Sequence, residues 1–180
     1  MDAIQAIKER RSIRRYKDEK VNRALMKEIV DAVRFAPSWV NSQIARWTLV
    51  DNPAIIEKFA NDGVKGFVYN IDTLKAAKGV AVLSFVKGKS GKLKQPELED
   101  ANSSKWEMFD AGIACQTFCL AAHAKGVGTC IFGVINENSI AKMIDLPEEE
   151  TVAALIVYGY KESHPAAPAR KSVDEITRWL

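Results

Sequence analysis

Basic side chains are concentrated near the start of the chain. The segment KERRSIRRYK spans residues 8–17 and surrounds a serine, Ser12, with four arginines. Guanidinium groups bind a phosphate through paired, charge-assisted hydrogen bonds, and the serine hydroxyl adds another donor. Arg10 and Arg14 share one face if the first helix extends this far. The pattern therefore suits either a site for one phosphate monoester or a solvated helix end whose cations lie near the last carbonyl groups.

Length and composition restrict the class of protein. The chain has 180 residues, 47% of them hydrophobic, and a formal net charge of +3. These values predict one domain over residues 1–180 with a sizeable core. The apolar runs are too short to span a bilayer, so we expect no membrane segment. The mildly basic charge permits an anionic ligand but does not by itself indicate nucleic acid.

The cysteines predict a reducing compartment. Cys115, Cys119 and Cys130 are odd in number and lie in apolar contexts, which is typical of reduced core thiols in a cytoplasmic protein. Cys115 and Cys119 are four residues apart on a predicted helix, a spacing that a metal site can use. His123 lies one turn further along the same helix, where we expect a packed or capping histidine and not a ligand. We therefore predict buried structural thiols and no metal site.

Hydrophobic periodicity predicts an α+β fold in which helices flank a small sheet. Asp2 and Asn22 are the expected N-caps of the first two helices, and Gly126 is the expected stop of the longest. No G-x-G-x-x-G motif follows a strand, so a Rossmann site is not supported. The predicted helices are 2–10, 22–36, 53–62, 103–125, 138–146 and a short one near the C-terminus, and the predicted strands are 46–51, 79–86, 127–133 and 151–160.

A long polar loop separates the second strand from the longest helix. Residues 87–100 read KGKSGKLKQPELED, with lysines followed by acidic side chains. We expect a surface excursion that is a candidate lid over a site. Its lysines are either solvated or positioned to attract the phosphates of a nicotinamide donor.

Five segments, in order, resemble the nitroreductase family of FMN-dependent oxidoreductases in its shorter form. The resemblance covers nearly the whole chain and implies a nitroreductase-like FMN-binding fold, with a central, mostly antiparallel sheet flanked by helices. It also implies a homodimer with FMN at the subunit interface and a C-terminal extension, 160–180, that contributes to the dimer. The matching segments are IKERRSIRRY, APSWVNSQ, DAGIACQTFCLAAHAKGVGTCIFG, MIDLPEEETVAALIVYGY and PARKSVDEI.

The resemblance also assigns roles to individual positions. The FMN phosphate and ribityl contacts fall on Arg10, Arg11, Ser12 and Arg14, with Arg170 and Lys171 closing round the same phosphate. The contacts expected from the partner subunit fall on Pro37, Ser38, Asn41 and Gln43. The contacts near the flavin ring fall on Asn70, Ile131, Phe132 and Gly133, with the Gly133 N–H expected to donate to flavin N5.

The activity implied is transfer of hydride and electrons from NADH or NADPH to a nitroaromatic, a quinone or a related acceptor, in a ping-pong cycle. The flavin carries that chemistry, so no catalytic side chain is predicted. Trp39, Ile44 and Ala45 depart from the family pattern and bear on substrate range.

Two alternatives remain open. One is another flavin task on the same fold, such as dehalogenation, heterocycle oxidation or flavin breakdown. The other is a non-enzymatic protein whose basic N-terminal segment binds anionic partners. Nucleic acid is not the expected partner, since the basic residues form no repeating stripe and no nucleic-acid motif is present.

Overall fold

The computed structural model describes residues 1–66, 68–92 and 105–180. A short 3₁₀ turn, Trp39–Asn41, precedes the first strand, and a π-helical turn, Phe59–Gly63, follows the third helix. The described α-helices are α1 (Ala3–Glu9), α2 (Arg23–Val33), α3 (Pro53–Lys58), α4 (Val68–Ala76), α5 (Lys105–Ala124), α6 (Glu137–Met143) and α7 (Val173–Ile176). The described strands are β1 (Ala45–Val50), β2 (Gly79–Val86), β3 (Val127–Phe132) and β4 (Glu150–Tyr160).

The four strands form one antiparallel sheet in the order β1-β2-β4-β3. β2 is buried along its whole length, as its nearly unbroken apolar sequence predicts, and it pairs with both β1 and β4. This arrangement confirms the predicted central antiparallel sheet. It also leaves β1 and β3 at opposite edges.

Helices cover both faces of the sheet. Alternate residues of β2 face opposite ways, so Val80 and Val82 join one hydrophobic cluster while Ala81 and Leu83 join the other. The first cluster contains side chains of α3, α4 and α6, and the second contains those of α2 and α5. The sheet is therefore sandwiched between helices, as the α+β prediction requires.

The predicted caps are present. The Asp2 side chain accepts a hydrogen bond from the Gln5 amide at 2.8 Å, and Asn22 accepts one from the Ala24 amide at 2.7 Å. Asn22 thereby fixes the start of α2. That helix ends at Val33, earlier than the sequence predicts.

Helix α4 is absent from the sequence prediction. Its exposed residues include the apolar Val68 and Tyr69, so no polar face contrasts with an apolar stripe. The predicted 87–100 excursion lies partly outside the described residues, from 93 onward, as do residues 103–104 of the predicted long helix. Within the described part of that loop, Lys87, Lys89 and Lys92 are exposed.

We predict that Gly128→Ala destabilises the protein by about 1–3 kcal/mol, measured by chemical unfolding, because overpacking forces neighbours out of position. A Cβ on Gly128 would lie 2.8 Å from Ile13 Cγ1 and 3.0 Å from Ile13 Cβ. The control is Gly133→Ala, whose Cβ would meet no heavy atom within 4 Å. Equal free energies of unfolding for the two variants would contradict this packing.

Candidate functional site

The basic N-terminal segment lies along the free edge of β3. Ser12 pairs with Thr129 in a parallel bridge, and the Ile13 amide donates to the Thr129 carbonyl at 2.8 Å. Further along, the Lys17 amide donates to the Tyr160 carbonyl at 2.9 Å. Ile13 is 4% exposed and Tyr16 is also buried. The segment is thus anchored to the sheet and is not a detached, solvated arm.

Two arginines in this segment have N–H groups without acceptors. Arg11 Nη1 donates to the carbonyls of Lys8 and Arg10, at 2.6 and 2.8 Å. The Nε atoms of Arg10 and Arg11 are buried and have no hydrogen-bond partner. A buried donor without a partner is costly, and an anion bound beside it removes that cost. The segment is therefore chemically suited to an anion that accepts several hydrogen bonds.

A cleft of about 220 Å³ opens further along the same segment, and Arg10 and Arg11 lie outside its lining. Ser12, Arg14 and Arg15 line it from the N-terminal segment, and Ser163 and Pro165 line it from the C-terminal tail. The two ends of the chain thus meet at this cleft.

The late basic residues lie apart from the cleft lining in the single chain. Arg170 and Lys171 are exposed. Arg170 Nη1 donates to the carbonyls of Pro168 and Ala169, each at 3.3 Å, so its hydrogen bonds are local.

A second group of predicted contacts lies at the opposite edge of the sheet. The loop 37–43 immediately precedes Ile44 and β1, and its residues Pro37, Ser38 and Gln43 line a pocket of about 190 Å³. β2 and β4 separate β1 from β3. At about 4.8 Å per strand spacing, the two edges are roughly 14 Å apart. One copy of the chain therefore presents the basic cleft and the loop 37–43 as separate surfaces.

The segment expected to face a flavin ring ends strand β3. Ile131 is 46% exposed, Phe132 is buried in the core, and Gly133 is exposed with open space where a Cβ would lie. Phe132 can therefore contribute backbone groups but not its ring. Asn70 is half-buried on α4, and this helix packs against the π-helical turn. Val64 follows that turn and forms a β-bridge with Ile135, which lies just after β3.

An aromatic cluster borders the loop 37–43. The Trp39 and Trp106 ring centroids are 4.5 Å apart, and Trp106 is 5.2 Å from Phe109. Trp39 Nε1 is buried without a hydrogen-bond partner. Trp39 and Trp106 thus form a contiguous aromatic surface. Trp39 is one of the residues whose departure from the family pattern is expected to affect substrate range.

The sequence prediction did not include Asp110 among the site residues. Asp110 is buried and accepts hydrogen bonds from the Trp39 amide and the Ser42 hydroxyl. One signal was available: Asp110 is the lone carboxylate in the mostly apolar stretch from Phe109 to Ala124. Charged residues are almost never buried without partners, so such a carboxylate indicates an internal polar contact.

The three cysteines are free, buried thiols, as predicted. A hydrogen bond with Cys119 and burial both raise the pKa of Cys115. Across residues 1–66, 68–92 and 105–180, no group of three or more His, Cys, Asp or Glu side chains is placed to hold a metal ion. Within the same residues, no helix is both long and apolar enough to cross a bilayer.

Comparison with known proteins identifies the family. The model of the nitroreductase family matches residues 7–160. This chain belongs to the nitroreductase family. A Methanothermobacter thermautotrophicus protein, whose name joins NADH dehydrogenase with NAD(P)H nitroreductase, is 30% identical over 172 residues, covering 92% of this chain and 80% of that protein. The resemblance inferred from the sequence motifs is thereby confirmed.

Two further proteins, one curated relative and one solved structure, are also similar to this chain. The Bacillus subtilis FMN reductase [NAD(P)H] is 28% identical over 183 residues, covering 94% of this chain and 68% of that protein. A Desulfovibrio desulfuricans protein, solved in complex with FMN, superimposes with a TM-score of 0.75 at 25% identity, covering 100% of this chain and 98% of that chain. The predicted nitroreductase fold is therefore confirmed.

We predict a pH dependence of stability that originates at His123. Burial lowers its pKa, and the nearby charges of Lys161, His164 and Arg10 lower it further, against the opposing effect of Glu9. Because the unfolded chain then binds more protons than the folded one, the free energy of unfolding falls as pH drops through about 6.5. His123→Gln should show a smaller fall in chemical-unfolding measurements between about pH 8 and pH 5.5. An identical fall in both proteins would contradict the prediction.

Proposed function

We propose that this protein is an FMN-dependent oxidoreductase that transfers hydride and electrons from NADH or NADPH to a nitroaromatic, a quinone or a related small acceptor. The observation that carries the proposal is the pair of buried, unpartnered Nε atoms of Arg10 and Arg11. Their N–H groups need an acceptor with several oxygens, which a phosphate monoester provides. The names of relatives, NAD(P)H nitroreductase and FMN reductase, supply the matching cofactor and donor.

The residues of this chain fit FMN at several points. Arg10, Arg11, Ser12 and Arg14 would hold the phosphate, which carries nearly two negative charges at neutral pH. Backbone groups of Ile131–Gly133 would lie beside the ring, with the Gly133 N–H as the donor. Bound FMN supplies the hydride and electron transfer, while the protein supplies position and charge.

The nicotinamide donor and the acceptor would bind in turn at the flavin ring, which is the basis of a ping-pong cycle. The exposed Ile131 and Gly133 leave that side of β3 open to a second ligand. The exposed Lys87, Lys89 and Lys92 would attract the phosphates of NADH or NADPH over a distance of about 10 Å at moderate salt.

We further propose that the site is completed by a second copy of the chain, with the whole of residues 1–180 as one unit. The basic cleft and the loop 37–43 lie at opposite sheet edges, so only the loop of a partner subunit would bring Pro37, Ser38, Asn41 and Gln43 to the flavin. In the tail 160–180, Val173, Ile176 and Trp179 are exposed, Trp179 by 89%. Apolar side chains exposed to this degree support an interface with another subunit.

We predict that replacing two of these tail residues weakens the dimer. Ile176 is 70% exposed in the single chain, and burying such side chains stabilises an interface by about 1.5–3 kcal/mol each. The double variant Ile176→Ser, Trp179→Ser should raise the dimer dissociation constant at least tenfold, measured by analytical ultracentrifugation. Asp174→Ser, an exposed polar change in the same tail, is the control. A double variant that dimerises like the control would contradict the role of the tail.

Removing one cation from the cleft should weaken FMN binding. Arg14→Ala eliminates a charge-assisted contact, which predicts a rise in the FMN dissociation constant of about tenfold or more, measured by quenching of flavin fluorescence. The control is Lys58→Ala, which removes an exposed cation on α3, outside the cleft lining. Equal affinities in the two variants would argue against a phosphate site at Arg14.

The function as a whole is tested by the visible spectrum of the purified protein. We expect a yellow protein, or one that FMN turns yellow, whose flavin absorbance is bleached anaerobically by NADH or NADPH and restored by an acceptor. A panel of nitroaromatics, quinones, halogenated substrates and free flavin separates the proposed activity from other flavin tasks. A colourless protein that does not take up FMN would overturn the proposal.

The structure also bears on the non-enzymatic alternative, in which the basic segment binds anionic partners as a detachable arm. That alternative predicts that residues 1–16 are removable without loss of the fold. The burial of Ile13 and Tyr16 against the sheet argues against it.

A further inference from the structure

The loop 37–43 has an unusual backbone conformation. Val40, Asn41 and Gln43 have φ values of 44°, 54° and 48°, in the left-handed region that glycine normally occupies. Val40 is β-branched, which makes this conformation especially unfavourable for it. Strained residues persist only where the surrounding structure determines their conformation, and they cluster at binding and active sites.

The buried carboxylate of Asp110 lies against this loop from helix α5. The Trp39 amide donates to its two oxygens at 3.0 and 3.1 Å, and the Ser42 hydroxyl donates to Oδ2 at 3.2 Å. Ser90, from the turn after β2, donates its hydroxyl to the same Oδ2 at 2.7 Å. Asp110 is 3% exposed, so these bonds form away from water and hold both chain segments against α5.

Other contacts hold the C-terminal end of the loop. The Gln43 amide donates to Ser38 Oγ at 2.9 Å, and Arg46 Nη1 donates to the Gln43 carbonyl at 2.8 Å. These bonds do not involve Trp39 or Ser42. Within the loop, the Asn41 amide donates to the Ser38 carbonyl at 3.0 Å and the Ser42 amide donates to the Trp39 carbonyl at 2.7 Å, so local bonds also shape its centre. Among the described residues, the carboxylate of Asp110 is the group that ties this central part, next to Val40 and Asn41, to helix α5.

The side chains that this anchor positions are polar and accessible. Asn41 and Gln43 are exposed, although their backbone is strained, whereas Asp110 is buried. A strained loop that only connects α2 to β1 would have no need to present two amide side chains to solvent. Strain together with outward-facing polar groups is typical of a preorganised binding surface.

We propose that Asp110 is a positioning residue for FMN: its carboxylate holds the loop 37–43 in the conformation that presents Asn41 and Gln43 to the flavin of the partner subunit. This inference rests on the proposed function. Asp110 does not itself contact the flavin; its effect is to remove the cost of ordering the loop when the cofactor binds.

The test compares Asp110→Asn with a matched control. Asn keeps the size of the side chain and one acceptor but cannot accept from Trp39, Ser42 and Ser90 together. Hydrogen exchange of the 38–43 amides in the apoprotein should accelerate about tenfold or more, and the FMN dissociation constant should rise by a similar factor. The control is Glu150→Gln, which alters another carboxylate that accepts from a buried serine hydroxyl, Ser84 Oγ, at 2.6 Å. It should leave loop exchange and FMN affinity unchanged.

A second variant keeps the proposal testable if Asp110→Asn does not fold. Ser42→Ala removes one donor to Asp110 and should increase exchange in the loop, with a smaller loss of FMN affinity than Asp110→Asn. Wild-type exchange and wild-type FMN affinity in the folded Asp110→Asn protein, or in Ser42→Ala if only that variant folds, would overturn the proposal.

The two readouts also separate this inference from the proposed function. A wild-type protein that does not bind FMN overturns the function, whereas exchange in the apoprotein still decides whether Asp110 holds the loop. If the wild-type protein binds FMN but loop exchange and FMN affinity are unchanged in Asp110→Asn, only the role of Asp110 is overturned.

Discussion

The hydrogen bond from the Ile13 amide to the Thr129 carbonyl determines where the densest positive charge of this chain lies. It extends the sheet edge at β3 by a short stretch of parallel pairing and buries Ile13 against Gly128. The arginines on either side are thereby fixed beside the sheet. Since the Nε atoms of Arg10 and Arg11 are buried without partners, a bound anion would offset the free-energy cost of leaving these donors unpaired.

The order of the strands is the basis for proposing that this anion site depends on a second subunit. The basic cleft lies at the β3 edge, and the strained loop 37–43 precedes β1 at the other edge. In a symmetric dimer, the same two surfaces meet twice, once for each bound cofactor. Exposed apolar residues in the C-terminal tail, Ile176 and Trp179 among them, are consistent with such an assembly.

Much of the fold follows from local sequence patterns. Short-range signals mark the nearly unbroken apolar run of β2, the caps Asp2 and Asn22, and the long apolar helix that ends before Gly126. Helix α4 has no such signal in the sequence, because its exposed residues include the apolar Val68 and Tyr69 and it therefore lacks a distinct polar face.

The candidate site was predictable in part, for a physical reason. The arginine cluster is visible in the sequence as a concentration of positive charge. The expectation that two subunits share the cofactor site came from the family resemblance. The role of Asp110 depends on contacts with Trp39, 71 residues earlier, which no local pattern encodes. The positive φ values of Val40 and Gln43 are likewise imposed by the surrounding structure and not by residue preference.

The central claim, that each cofactor site draws on two copies of the chain, is tested most directly by subunit complementation. One parent carries Arg10→Ala and Arg14→Ala, and the other carries Asn41→Ala and Gln43→Ala; each parent should bind FMN poorly. In a co-expressed mixture, heterodimers contain one fully mutated and one fully wild-type site, so about a quarter of all sites should regain wild-type FMN affinity. A mixture that binds no more FMN than the parents would contradict the account.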